Sequence, residues 1–167
     1  MKKIILLIVF AVILVGCNCK KNNDIKIKIT EENLPTSSES SSYLYTTYGL
    51  LSYHLEDTGE YDEKVNNNDT FLLFVYSDTC FGCKLLAPSL KPSVDEGLIL
   101  YTLDYSVVSD NHDLYKAGVT TTPYLVLVED GEIVYVDLIE GLSASDAEKN
   151  VKLAKKWINK HVEWGNN

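Results

Sequence analysis

The sequence predicts an α/β fold in which helices flank a central mixed sheet of parallel strands and one antiparallel hairpin. Residues 71–76 form an uninterrupted apolar and aromatic run, which is typical of a strand buried on both faces in a parallel sheet. Two further apolar runs, at 125–128 and 133–136, flank Asp130 and Gly131, a dipeptide that favours a tight hairpin turn. Helical patterns separate and follow these strands, so the expected order is strand, helix, strand, helix, hairpin and helix.

Three segments precede the strand at 71–76. Isoleucines alternate with polar residues from Ile25 to Ile29, which is the period of a half-buried strand. Apolar positions spaced by four, three and four residues predict a helix over 43–54. Its tyrosines either pack this helix against the sheet or offer a surface to a partner. The polar residues 66–69 predict a loop that leads into the strand.

The segments after this strand also have local signatures. A helix begins near Cys83, and Pro88 is expected to kink or stop it. Residues 98–103 predict a second buried strand, and residues 110–116 predict a short helix. A capping box at 145–148 opens the last helix. One face of that helix carries apolar residues, namely Val151, Ala154, Trp157, Ile158 and Val162.

Two cysteines three positions apart, Cys80 and Cys83, follow the strand at 71–76 directly. Cys80 is expected at a helix N-terminus, where unpaired N–H groups and the helix dipole stabilise a thiolate. Such a position lowers a cysteine pKa and makes the sulfur nucleophilic near neutral pH. The pattern therefore predicts thiol–disulfide exchange, in which Cys80 attacks a partner disulfide and Cys83, the less exposed thiol, resolves the mixed disulfide.

Two other interpretations of the cysteine pair remain open. Half of a zinc site would need further ligands, but Cys17 and Cys19 lie near the N-terminus and the histidines show no ligand-like spacing; these are His54, His112 and His161. A purely structural disulfide would close so short a loop that it would remove little chain entropy. No metal and no cofactor beyond a redox-active Cys80–Cys83 disulfide is expected.

The start of the chain predicts export and lipid anchoring. Residues 1–16 combine a positive start with an apolar run of about a dozen residues, shorter than the ~20 that span a membrane and typical of a signal peptide. The run ends in a sequence that resembles the bacterial lipobox, with Cys17 as first mature residue. This resemblance implies diacylglycerol on the Cys17 sulfur and an acyl chain such as palmitate on its amine, and two or more chains anchor stably. An uncleaved N-terminal anchor would leave the domain on the same side of the membrane, outside the cytoplasm, where disulfides persist.

Residues 17–42 are expected to form a lipidated, serine-rich tether, and residues 43–167 a single domain with its core at 70–161. Cys19 lies in the tether and could cross-link two copies, accept a second acyl group or have no function. Two of the 15 basic residues leave with the signal peptide, so 13 lysines face 24 acidic residues and the mature net charge is −11. This charge argues against nucleic acid as a partner and against electrostatic attraction to anionic lipid.

The order of these features resembles the thioredoxin superfamily over residues 70–161. The resemblance rests on the Cys80–Cys83 motif, the proline in the helix that follows it, Thr122-Pro123 before a strand, the hairpin turn, and the glycine before the final helix. It implies a thioredoxin fold, a cis peptide bond before Pro123 with this proline packed against the cysteines, and pairing of the Thr122 backbone with substrate. A proline that merely starts a strand is the alternative.

Two departures from cytosolic thioredoxins are Thr-Cys-Phe-Gly-Cys at residues 79–83, where they have Trp-Cys-Gly-Pro-Cys, and the lack of a buried acid that could accept the Cys83 proton. Phe74 stands where cytosolic thioredoxins have a buried acid, so that water or Asp78 would have to serve; Asp78 could equally be a solvated loop residue. The sequence also resembles extracytoplasmic thioredoxin-like lipoproteins and peptide-export accessory proteins. We therefore expect a protein-disulfide oxidoreductase anchored to the outer face of a bacterial cell membrane, acting on exported proteins or peptides with an unidentified redox partner. A thioredoxin-fold lipoprotein that only binds peptides is the alternative.

Overall fold

The computed structural model describes residues 26–29 and 44–164. The predicted signal peptide, Cys17, Cys19 and the serine-rich segment lie outside these residues. The strands are β1 (Ile27–Ile29), β2 (Leu44–Thr47), β3 (Leu50–Leu55), β4 (Phe71–Tyr76), β5 (Tyr101–Asp104), β6 (Tyr124–Glu129), β7 (Glu132–Asp137) and β8 (Val162–Trp164). The helices are α1 (Thr58–Asn66), α2 (Phe81–Asp95), α3 (Asp113–Lys116) and α4 (Ala147–His161), with one 3₁₀ turn at Tyr105–Val107.

In the described part of the chain, six strands form one mixed sheet in the order β2-β3-β5-β4-β6-β7. Strands β3, β5 and β4 are parallel, whereas β2, β6 and β7 each run antiparallel to their neighbours. Asp130 and Gly131 have φ values of 50° and 76° and form the two-residue turn between β6 and β7. The predicted α/β class and its C-terminal antiparallel hairpin are confirmed.

Each face of the sheet packs against helices. Strand β4 is fully buried and its side chains alternate between two hydrophobic clusters. Leu72, Phe74 and Tyr76 pack with residues of α2 and α4, whereas the intervening side chains pack with Tyr61 of α1 and Leu114 of α3. The prediction of a strand buried on both faces is therefore confirmed.

The prediction of a helix over 43–54 is wrong, because this segment forms the hairpin of β2 and β3. Along β3 the burial alternates: Leu50 and Ser52 are buried while Leu51 is 49% exposed. Tyr48 and Gly49 have φ values of 52° and 79° and make the two-residue turn. Aromatic and β-branched residues favour a pleated strand, and in this segment that preference prevails over a helical spacing of only a few apolar residues.

Other elements differ from expectation only at their ends. Helix α2 continues past Pro88 and Pro92 to Asp95, so neither proline stops it. Helix α4 is capped by Asp146, whose carboxylate accepts a bond from the Lys149 N–H at 2.9 Å, one residue later than the predicted capping box.

The strand predicted from the alternating isoleucines is confirmed as β1. It pairs in parallel with β8, directly after α4, and both Ile27 and Ile29 are buried in the cluster that includes α2 and α4. Within residues 26–29 and 44–164, no helix combines the length and the apolar character needed to cross a membrane.

Candidate functional site

The cysteine pair lies where β4 passes into α2. After β4 ends at Tyr76, the Cys80 N–H donates to the Ser77 carbonyl at 3.0 Å and closes a tight turn. Cys80 is the N-cap of α2, and the Cys83 N–H donates to its Sγ at 2.9 Å. The two residues form a disulfide with their Cα atoms 5.2 Å apart. The expected position of Cys80 at a helix N-terminus is confirmed.

The two cysteines differ in their access to solvent. Cys83 is completely buried, whereas Cys80 is half-buried. Phe81, between them in sequence, is 64% exposed, and Lys84 is also exposed. Cys80 is therefore the more accessible cysteine of the pair, which fits the predicted division into an attacking Cys80 and a resolving Cys83.

The loop before β6 lies beside the cysteine pair. The Thr122–Pro123 peptide bond is cis, as the resemblance implied, and Pro123 is buried. Its ring lies so close to Gly82 that a Cβ on this glycine would be 2.8 Å from the proline Cδ and 4.0 Å from Cys80 Sγ. The expected packing of Pro123 beside the cysteine pair is confirmed, whereas substrate binding by Thr122 and Pro123 stays a prediction.

Tyr48, from the turn between β2 and β3, belongs to the same neighbourhood and was not predicted. Its hydroxyl donates to the Ser77 carbonyl at 2.8 Å, and its ring meets the ring of Tyr76 edge-on at 6.4 Å between centroids. Burial raises the pKa of Tyr48, and the nearby carboxylates of Asp78 and Asp104 raise it further. The sequence signal was the Tyr48-Gly49 dipeptide inside a β-prone segment, which the helical spacing obscured.

Acidic groups near the cysteines are on the surface. Phe74 is completely buried, and Asp78 is exposed. Among the residues that the structure describes, the buried polar side chains are serines, Thr102, Asn150 and His161, so no carboxylate there is buried. A proton leaving Cys83 therefore has no buried carboxylate of these segments to accept it.

No group of three or more histidine, cysteine or acidic side chains within 26–29 and 44–164 is arranged to hold a metal ion. Thr102 instead contacts two side chains of β3, its hydroxyl lying 3.1 Å from Ser52 Oγ and 3.3 Å from His54 Nδ1. These side-chain contacts link the neighbouring strands β5 and β3.

Fold and site together define a thioredoxin-like domain with a disulfide at the start of a helix. A family model described as Thioredoxin matches residues 52–155, more than half of the chain, and the protein belongs to this family. The predicted thioredoxin fold is thereby confirmed. The comparison with curated proteins gave no match.

Solved thioredoxin structures resemble the chain. A mutant thioredoxin from Halobacterium salinarum is 25% identical, with 62% of this chain and 88% of that chain covered and a TM-score of 0.44. Mitochondrial thioredoxin 3 from Saccharomyces cerevisiae is 23% identical, with coverages of 59% and 92% and a TM-score of 0.43. Oxidized thioredoxin O2 from Arabidopsis thaliana is 15% identical, with coverages of 66% and 93% and a TM-score of 0.48.

Proposed function

We propose that this protein is a membrane-anchored thiol–disulfide oxidoreductase that reduces or exchanges disulfides in exported proteins. One observation carries the proposal: a disulfide joins a half-buried cysteine at a helix N-cap to a completely buried one. A passive crosslink gains nothing from this asymmetry. An exchange catalyst needs it, because one sulfur has to meet the partner and the other has to wait inside.

The reaction begins with the reduced pair. The Cys80 thiolate attacks one sulfur of a partner disulfide, and the other partner sulfur leaves as a thiolate and takes a proton. Cys83 then loses its proton to water and attacks the Cys80 sulfur, which releases the second partner thiol. Two electrons pass from the cysteine pair to the partner, and a dithiol of a separate redox protein has to return them.

The helix N-terminus prepares the nucleophile for the first step, because it favours the ionised form of Cys80. The Cys83 N–H already lies 2.9 Å from Cys80 Sγ in the disulfide, so it is placed to stabilise negative charge on this sulfur when the bond opens. The cis loop at Thr122 and Pro123 would align the partner backbone beside it, as an added strand.

The location belongs to the same proposal and rests on the sequence. Lipid on Cys17 would hold the domain at the outer face of the membrane, since a mature net charge of −11, from 13 lysines and 24 acids, does not attract anionic lipid. Exported proteins are the disulfide-containing partners that a domain at this face would meet.

Turnover of a model protein disulfide such as insulin, with dithiothreitol as electron source, tests the enzyme proposal. The full chain should accelerate reduction, Cys80→Ser should abolish the acceleration, and Cys83→Ser should accumulate mixed disulfides. If the full chain does not accelerate reduction while a Cys80→Ala, Cys83→Ala double variant still binds peptides fully, the protein is a binding module and the enzyme proposal fails.

Cell fractionation tests the anchor separately. Cys17→Ala should release the protein from the membrane fraction or leave an unprocessed precursor, whereas the matched Cys19→Ala variant should remain anchored. A Cys17→Ala protein that is processed and stays in the membrane fraction as the parent does would contradict lipid anchoring without touching the redox proposal.

A further inference from the structure

We infer that Tyr48 is a positioning residue for the Cys80–Cys83 pair, acting through the carbonyl of Ser77. The inference rests on the proposed redox function and adds a residue from outside the segment matched by the family model, which begins at residue 52. It rests on the hydrogen bond from the Tyr48 phenol to the Ser77 carbonyl and on the positive φ of Tyr48.

The backbone of Tyr48 has a conformation that is rare for a bulky residue. Thr47 pairs with Leu50, so Tyr48 and Gly49 are the two residues of a hairpin turn in which both have positive φ. Such turns favour asparagine or glycine at the first position, because a bulky side chain is sterically disfavoured in the left-handed region. The turn itself would form more easily with another residue at this position. The presence of tyrosine therefore indicates that its side chain has a role of its own.

The side chain of Tyr48 contacts the turn that precedes α2. The phenol donates to the Ser77 carbonyl at 2.8 Å, and the same carbonyl accepts the Cys80 N–H at 3.0 Å. A carbonyl oxygen has two lone pairs, and here both are used. Tyr48 therefore holds the acceptor that fixes the Cys80 backbone at the entrance to α2.

The turn from Ser77 to Cys80 sets where the Cys80 sulfur lies. A thiolate on Cys80 is stabilised only while its sulfur stays against the N–H groups of the first helical turn, among them that of Cys83. If the Ser77 carbonyl is free to turn, the Cys80 backbone gains freedom and the sulfur spends less time in that position. Loss of the phenol should then raise the Cys80 pKa and make the disulfide less oxidising.

Tyr48→Phe tests the inference, because it removes the hydroxyl and keeps the ring. Tyr53→Phe is the matched control: it makes the same change in the same hairpin, but its ring packs on Tyr101 within the other hydrophobic cluster. Tyr48→Asn is a second variant that suits the turn and removes the whole phenol. All are made in the full chain, and thermal unfolding establishes that each is folded.

The measurement is the rate of iodoacetamide alkylation of reduced Cys80 between pH 5 and 9, with the modified peptide identified by mass spectrometry. Both Tyr48 variants should raise the Cys80 pKa by at least half a unit, which lowers the alkylation rate about threefold on the acidic side. Their equilibrium with glutathione should shift toward the disulfide, while Tyr53→Phe should match the parent.

If both Tyr48 variants give the parent pH profile and glutathione equilibrium, the inference is overturned, even where they unfold at a lower temperature. The alkylation profile does not depend on turnover. A parent protein that fails to reduce insulin would refute the proposed function, and the comparison of Tyr48→Phe with the parent would still decide whether Tyr48 positions Cys80.

Discussion

Substitution of Gly82 by alanine probes the contact between the cysteine pair and the cis loop. Gly82 is the second residue of α2, and a Cβ there would meet Pro123 Cδ at 2.8 Å and Pro123 Cγ at 3.3 Å. Carbon atoms in favourable contact are about 3.5–4.0 Å apart. The proline ring, the helix or both therefore have to move by roughly 0.7 Å, the shortfall from that range.

Two opposing effects set the change in stability. Inserting a methyl group into a packed site costs about 1–3 kcal/mol, and replacing glycine by alanine in a helix returns at most about 1 kcal/mol. We expect Gly82→Ala to lower the free energy of unfolding by about 1–2 kcal/mol. The effect on turnover should be larger, because a displacement on the order of 1 Å at a reacting centre can reduce the rate by about a hundredfold.

Gly59→Ala is the matched control. Gly59 is also the second residue of its helix, α1, and the Cβ of an alanine there would meet Asp57 Oδ1 at 3.0 Å. This exposed carboxylate caps α1 and would have to shift by a few tenths of an ångström, whereas Gly82→Ala meets the ring of a buried proline. Urea unfolding of the oxidised proteins gives the stabilities, and insulin reduction gives the rates. The reasoning is refuted if Gly82→Ala is as stable and as active as Gly59→Ala.

Three further predictions concern single side chains. Asp146→Ala should lower stability by about 1 kcal/mol in urea unfolding, because it removes the cap of α4, whereas Ser145→Ala should change it little; equal effects would contradict the observed cap. Phe81→Ser should leave stability within about 0.5 kcal/mol, since the ring is 64% exposed, but slow insulin reduction more than reduction of a small aromatic disulfide; equal slowing would show that the ring does not contact the protein substrate. Burial lowers the pKa of His161, Lys160 lowers it further and Asp137 opposes this, so below pH ~6.5 the unfolded chain binds a proton that the folded one excludes. Stability should therefore fall as the pH drops from about 6.5 through the folded pKa, and His161→Gln should lose this dependence; an unchanged slope would exclude His161 as its source.

The elements that the sequence predicted correctly are those whose information is local. Strand β4 has six consecutive buried residues, and an apolar run of this length predicts an inner strand of the sheet. The turn at Asp130 and Gly131 needs two positive φ values, and this dipeptide supplies the residues that tolerate them. The position of Cys80 at a helix N-terminus likewise follows from the few residues on either side of it.

The wrongly predicted helix and an unpredicted strand pairing both occur where distant contacts decide the structure. Apolar spacing in 43–54 fits a helix, but the segment becomes a hairpin because Tyr53 and Leu55 find partners on β5, nearly fifty residues later. The pairing of β1 with β8 joins the two ends of the described chain, and no short pattern contains it. Both cases are tertiary choices that override or complete a weak local preference.

The same distinction explains why the chemistry of this site could be predicted while the direction of electron flow could not. Ionisation of Cys80 depends first on the helix that begins beside it, which the sequence shows within a few residues. The relative stability of thiolate and disulfide also depends on the surroundings of the pair, and here we expect contributions from Pro123 beside Gly82 and from Tyr48 at the Ser77 carbonyl. These groups come from parts of the chain about 40 and 30 residues away, so their influence exists only once the fold has formed. If the reduction potential of the pair responds to Tyr48→Phe and Gly82→Ala but not to Tyr53→Phe and Gly59→Ala, the surroundings rather than the motif tune it.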